Sequence, residues 1–226
     1  MFQELFISCL AGLRVLFIGD SITAAYNLPP EERMPALVAE ELGVDAVNLG
    51  VPFSTSMDWL PWETTEQFCP RNGGCWGQLV TPQLPADALV LWLGTNDASG
   101  VWEKQGPTPW TEFLGNIIEM VEAFDGPVFL ITPPFLYESG FFIAIRSSLY
   151  RERALWIAKN YRRVHLGADA YSILKHPDDF IDTVHPNAQG LAKVAKEVSK
   201  SISSVVARSR ICTSGRRALS PEFIRR

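Results

Sequence analysis

Ser21 stands in Gly19-Asp20-Ser21-Ile22, directly after the apolar run Val15-Leu16-Phe17-Ile18, and about 160 residues later the chain reads Asp182-Thr183-Val184-His185-Pro186. A hydroxyl at the end of a buried strand is held rigidly at a sheet edge, and an imidazole with an acid three residues before it can be fixed in one tautomer. These residue types point to acyl transfer through a serine. Ser21 would attack an acyl carbon, His185 would accept and later return its proton, and Asp182 would stabilise the imidazolium. The negative charge that grows on the acyl oxygen needs hydrogen-bond donors. Gly50 in Asn48-Leu49-Gly50 and Asn96 in Gly94-Thr95-Asn96-Asp97 each follow an apolar run. The backbone N–H groups of Ser21 and Gly50, with the Asn96 side-chain amide, are therefore the expected oxyanion donors, each worth about 10²- to 10³-fold in rate.

Each segment alone has an ordinary explanation. Gly-Asp-Ser after a strand is a common turn and could cradle phosphate, Asn96-Asp97 could cap a helix, and His185-Pro186 could merely start one. Their joint occurrence, in order and each after a strand, favours chemistry. His165 and His176 are the rival bases. The first falls inside an expected strand and the second lacks an acid three residues before it, so both are expected to be structural or exposed. Asp178 and Asp179 read as solvated loop carboxylates, and Asp20 as support for the turn. Trp59, Trp62, Trp76, Trp92, Trp102 and Trp110 are core or pocket wall, with an aromatic or apolar acyl site as one reading.

The elements that must position these groups follow from periodicity. Apolar runs at Arg14 to Ile18, Ala46 to Leu49, Ala88 to Leu93, Pro127 to Ile131 and, more weakly, Val164 to Leu166 alternate with helical patterns, the signature of βαβ units and a parallel sheet. Met34, Leu37, Val38 and Leu42 keep helical spacing up to Gly43, and Phe113, Ile117, Met120, Val121 and Phe124 do so up to Gly126. A third helix is expected over Ser147 to Tyr161, and a last one from Pro186-Asn187 with Leu191, Val194, Ala195, Val198, Ile202 and Val205 on one face. Pro52 to Leu84 fits neither period and reads as an irregular excursion with one short helix at most. In an open parallel sheet, ligands bind beyond the carboxyl ends of the strands, where every candidate residue falls. A strand order of 2-1-3-4-5 would make Ser21, Gly50 and Asn96 neighbours.

The four blocks resemble those of the SGNH or GDSL hydrolases, with a Gly-Asp-Ser, a glycine, a Gly-x-Asn-Asp and an Asp-x-x-His-Pro in that order. The resemblance spans about Arg14 to Val206. It implies an α/β, three-layer flavodoxin-like fold with a five-stranded parallel sheet. It also implies esterase, lipase, thioesterase or acyltransferase activity on a small-molecule ester. By resemblance the serine falls on Ser21, the glycine on Gly50, the asparagine on Asn96, the aspartate on Asp182 and the histidine on His185. Leu130-Ile131-Thr132-Pro133-Pro134-Phe135 is similar to the fourth strand and proline-rich loop of members acting on small esters. Gly50 departs from the pattern in being followed by Val51-Pro52 rather than a small polar residue.

With 226 residues, 47% of them hydrophobic and 20% charged, the chain is expected to build one globular domain over residues 1–207. Residues 208–226 carry six arginines and one glutamate, so the −5 of the whole chain conceals a body of −10. Such a body argues against a nucleic-acid groove, and the basic tail reads as a solvated appendage. Cys9 and Cys212 stand alone, and the three histidines are scattered, so neither metal nor cofactor is expected. Cys69 and Cys75 either close a small disulfide loop or remain two free thiols. The apolar start from Met1 to Leu10 is short, bears Glu4 and lacks a positive n-region. A cytoplasmic address is favoured, with export if the N-terminus is truncated and Cys69 pairs with Cys75. No apolar run approaches the roughly 20 residues of a membrane span.

Overall fold

Val15, Leu16, Phe17 and Ile18 are all fully buried, which commits the first apolar run to the centre of a sheet. Burial of four such side chains contributes about 1.5–3 kcal/mol each. In this computed structural model, which describes residues 10–62, 69, 74–100, 107–136 and 141–208, the run forms β1 (Arg14–Gly19). It is joined by β2 (Asp45–Asn48), β3 (Ala88–Trp92), β4 (Val128–Ile131) and β5 (Val164–Ala168). Every pairing is parallel and the order is β2-β1-β3-β4-β5, as the sequence predicts.

Alternation along the strands sends side chains to two separate cores. Val15, Phe17, Val90, Trp92, Phe129 and Ile131 face a cluster completed by α2 (Met34–Leu42) and α7 (Ala188–Arg208), through Met34, Val38, Leu191, Val194, Val198 and Ile202. Leu16, Ile18, Leu89, Leu91, Val128 and Leu130 face the other. There they meet Phe113, Ile117, Met120 and Val121 of α4 (Trp110–Ala123) and Tyr150, Ala154 and Ile157 of α5 (Phe141–Asn160). Helices on both faces of a parallel sheet are the arrangement a period-2 strand buried on both sides requires. The short helices α1 (Ser21–Ala24), α3 (Thr95–Ser99) and α6 (Ala170–Ile173) follow β1, β3 and β5 at the carboxyl edge.

The differences from expectation are local. α5 begins at Phe141 rather than Ser147, because Phe141 to Ile145 is too uniformly apolar to show a helical period. β5 extends to Ala168 through Gly167, whose lack of a side chain admits the Leu130 carbonyl at 3.2 Å from where a Cβ would stand. The excursion after Pro52 contributes a 3₁₀ turn at Met57–Trp59, a π-helical turn at Trp76–Val80 and another 3₁₀ turn at Thr81–Gln83. Much of it is core: Trp59, Trp76 and Val80 are buried with Leu89 and Leu91. Cys69 and Cys75 form a disulfide, which decides between the two readings of that pair. The basic tail from residue 209, Cys9, Cys212, Trp102 and the start of the chain lie outside the described residues. Among the described residues no helix is long and apolar enough to cross a membrane.

Candidate active site

Ser21 opens α1 immediately after β1, where Asp20 caps the helix by accepting the Ile22 N–H at 2.9 Å. Gly19 is required at this turn: a Cβ there would lie 2.1 Å from Thr23 Oγ1 and 2.4 Å from the Trp92 carbonyl. The close approach brings β1, α1 and β3 together and fixes where the Ser21 hydroxyl stands.

His185 reaches that hydroxyl from the far end of the chain. Its Nε2 lies 3.0 Å from Ser21 Oγ, and its Nδ1 lies 2.8 Å from Asp182 Oδ2. The second carboxylate oxygen of Asp182 accepts the backbone N–H groups of Val184 and His185, both at 2.7 Å. Burial opposes ionisation of Asp182, but the backbone and side-chain hydrogen bonds of His185 and the Val184 N–H outweigh it and hold the carboxyl below its ordinary value. A charged acceptor at Nδ1 keeps the proton on that nitrogen and leaves the Nε2 lone pair facing the hydroxyl.

The loop bearing these two residues is pinned at both ends. Phe180 and Pro186 form an antiparallel bridge, and the Ile181 N–H donates to the His185 carbonyl at 2.8 Å. Pro186 precedes the last helix rather than entering its first turn. Asn187 is the cap, its Oδ1 accepting the Gly190 N–H at 2.9 Å. Asp179, expected to be a solvated loop carboxylate, is instead buried and paired with Lys193 of α7. Its neighbour Asp178 is exposed as expected. His165 lies in β5 against the Phe129 ring at 5.4 Å, and His176 is exposed at a 3₁₀ cap, so both rivals are occupied elsewhere.

Gly50 and Asn96 reach the same edge by different means. A Cβ on Gly50 would stand 2.3 Å from the Ala24 nitrogen, so only glycine lets the segment after β2 pack on α1. The Gly50 N–H donates to Asn48 Oδ1 at 3.0 Å, while Asn48 Nδ2 donates to the Thr23 carbonyl at 3.1 Å. Asn96 follows Gly94, whose φ of 113° turns the chain from β3 into α3. Its Nδ2 donates to the Ser54 carbonyl at 2.9 Å, which uses one of the two amide hydrogens.

Sequence reasoning missed the polar girder behind these groups. Asp97, wholly buried, accepts from Ser56 Oγ at 2.6 Å and from the Ser56 N–H at 3.1 Å, and Asn116 donates to the same hydroxyl at 2.9 Å. The Tyr150 hydroxyl donates to the Thr108 carbonyl beneath it. Burial raises the Asp97 carboxyl to about 6 against the opposing pull of the Ser56 bonds. Asp20 is raised to about 7 by burial, with Asp97 adding repulsion and the Ile22 N–H working against both. The signal for Asp97 lies in Gly-Thr-Asn-Asp, where the sequence assigns Asn96 a chemical role and Asp97 nothing beyond the capping alternative. That for Ser54 and Ser56 is hidden in an aperiodic loop.

A cavity of about 290 Å³ opens beside Ser21, lined also by Tyr26, Asn27, Pro52, Asp182 and His185. Its aromatic wall is Tyr26. Of the tryptophans read as core or pocket wall, Trp59, Trp76 and Trp92 are spent on the core, and Trp62 and Trp110 are exposed without lining this cavity.

The GDSL-like lipase/acylhydrolase family matches residues 17–193, from β1 into α7. The chain belongs to this family. Membership places it among the acyl-ester hydrolases, and the parallel sheet order is that of the SGNH hydrolase fold. Among solved structures, an acetylxylan esterase from Geobacillus stearothermophilus superposes with a TM-score of 0.62 at 19% identity, covering 84% of this chain and 94% of that one. A G-D-S-L family lipolytic protein from Desulfitobacterium hafniense DCB-2 gives 0.63 at 18% identity, covering 84% and 99%. A provisionally assigned arylesterase from Agrobacterium tumefaciens gives 0.63 at 19%, covering 83% and 97%. At these identities the likeness is one of fold. No curated protein sequence matches the chain.

Proposed function

We propose that this GDSL-family chain hydrolyses small to medium carboxylic acyl esters, aryl esters included, through an acyl-enzyme on Ser21. The observation that carries the reading is the continuous relay from Ser21 Oγ through the His185 ring to Asp182. His185 Nε2 takes the hydroxyl proton as Oγ bonds to the acyl carbon, then returns it to the alkoxide as the ester C–O bond breaks. Water repeats the sequence on the acyl-enzyme, releasing the acid and restoring Ser21.

The oxyanion donors in this reading are the Ser21 N–H, the second Asn96 amide hydrogen and the Gly50 N–H. The last is held by Asn48 in the resting structure, so it joins only by sharing its hydrogen. The carboxylate and imidazole are partly open, with 51% and 33% of the Asp182 and His185 side chains exposed. Water can therefore reach the imidazole that would activate it, which supports hydrolysis over transfer to alcohols. A phosphate- or nucleotide-binding role at the first turn is disfavoured because Asp20 already occupies the Ile22 N–H. The acetylxylan esterase and arylesterase among the fold neighbours are consistent with small acyl groups.

Hydrolysis of p-nitrophenyl acetate in the presence of chelator tests the reading. Turnover that disappears in Ser21→Ala is the expected result, and turnover retained by that variant rejects the nucleophile.

A further inference from the structure

Tyr26 stands five residues after Ser21 and, at 67%, is the most exposed large hydrophobic side chain among the described residues. The chain places it there deliberately. α1 lasts only four residues and ends on Ala25 at φ 45°, a left-handed conformation that disfavours any residue with a Cβ. The turn is secured by the Ala25 N–H on the Ser21 carbonyl at 2.8 Å and the Leu28 N–H on the Ala25 carbonyl at 3.0 Å. The ring itself is steadied: the Arg33 guanidinium stands over it, 5.3 Å from its centroid, and is itself fixed by two hydrogen bonds to the Leu28 carbonyl.

The cavity that Tyr26 lines with Asn27 and Pro52 has Ser21, Asp182 and His185 as its remaining walls, whereas Asn96 is not among them. It is therefore bounded at the serine by the imidazole and not by the Asn96 amide. The group that departs receives its proton from His185 Nε2, so it must rest beside that imidazole. A rigid ring beside the point of departure presents a flat face to whatever is leaving.

Resting on the esterase reading, we propose that Tyr26 is a specificity-determining platform for the alcohol half of the ester, and that it selects esters of ring-bearing alcohols, arylmethyl or pyranosyl, over esters of acyclic ones. An acyclic chain covers little of a flat face, while a six-membered ring lays its π or C–H face across it. Asn27, on the same wall, supplies polar groups suited to ring hydroxyls.

The test compares kcat/KM of wild type, Tyr26→Ala and Tyr26→Phe on three acetates: benzyl acetate, monoacetylated methyl xyloside and n-butyl acetate. Taking the wild-type to variant ratio for each substrate separately cancels the intrinsic reactivity of the leaving groups. Tyr26→Ala is expected to lower kcat/KM about fivefold on the two ring esters and less than twofold on butyl acetate, with Tyr26→Phe near wild type. A loss confined to benzyl acetate or to the xyloside assigns the platform to arylmethyl or sugar alcohols respectively. Equal losses on all three, or none, overturn the platform. If wild type turns over butyl acetate through Ser21 and only the ring preference is missing, the platform alone fails. If Ser21→Ala retains all three activities, the esterase reading fails with it.

Discussion

Lys193 Nζ lies 2.5 Å from Asp179 Oδ1, and this ion pair joins the loop that carries Asp182 and His185 to the helix behind it. The Asp179 side chain is 3% exposed and its carbonyl also accepts the Asn187 N–H, so the residue anchors the loop through side chain and backbone together. Breaking a fully buried pair costs about 3–5 kcal/mol, and the 43% exposure of Lys193 tempers that figure. Lys193→Met should therefore lower stability by about 1–3 kcal/mol in denaturant titration. It should also lower kcat, because displacing the imidazole lengthens its contact with Ser21 Oγ. Unchanged stability would show that the pair does not hold the loop.

In the proposed mechanism Asn96 acts mainly on the charged transition state. One amide hydrogen is committed to Ser54, which orients the group, and the other is free to meet the oxyanion. Asn96→Ala is expected to reduce kcat about 10²-fold with KM little changed. A change in KM alone would contradict the role.

Asp20 should give the protein a pH-dependent stability. Its carboxyl is raised from its ordinary 3.8 to about 7 by burial. Between those values the unfolded chain has released the proton while the folded chain keeps it, so stability falls as pH rises and levels off above about 7. The slope approaches ~1.4 kcal/mol per pH unit where only this group differs. Asp97, raised to about 6, acts in the same direction over a shorter window. Asp182, held below its ordinary value, acts oppositely, and its stabilisation is lost only in more acidic solution. Since Asp20 Oδ2 has no hydrogen-bond partner among the described residues, Asp20→Asn removes the charge without removing a bond seen there. Denaturant titrations from about pH 4.5 to 7 should show wild type losing stability relative to Asp20→Asn as pH rises. Parallel curves would refute the assignment.

The Cys69–Cys75 bond closes a short loop whose Cys75 end packs with Trp76 and Val80 in the core. Reduction should cost about 2 kcal/mol, chiefly through the freedom returned to the unfolded chain. A melting temperature unmoved by reductant, with thiol counting to confirm reduction, would show that the rest of the fold holds this segment unaided.

What was legible in the sequence was whatever repeats or follows a strand. The runs around Phe17, Val90 and Phe129 announced the sheet because both faces of each strand are buried. Ser21, Gly50 and Asn96 come to one edge of the sheet because each follows a strand, and His185 meets Ser21 there from the loop ahead of the last helix. What was not legible depends on contacts between distant segments. The Ser56 hydroxyl meets Asp97 across 41 residues and Lys193 meets Asp179 across 14, and no local pattern distinguishes either from a solvated polar residue. At Gly50 the unread contact is a local one, since sequence offers a donor and only the folded chain reveals that Asn48, two residues before it, holds the N–H.

The central claim is that Ser21 is the nucleophile and His185 its base. Labelling with a fluorophosphonate, followed by peptide mapping, tests it most directly. A single adduct on Ser21, formed in step with loss of esterase activity, greatly slowed in His185→Ala and missing in Ser21→Ala, is the predicted result. Ester turnover that survives complete labelling of Ser21, or an inactivating adduct on another residue, would contradict it.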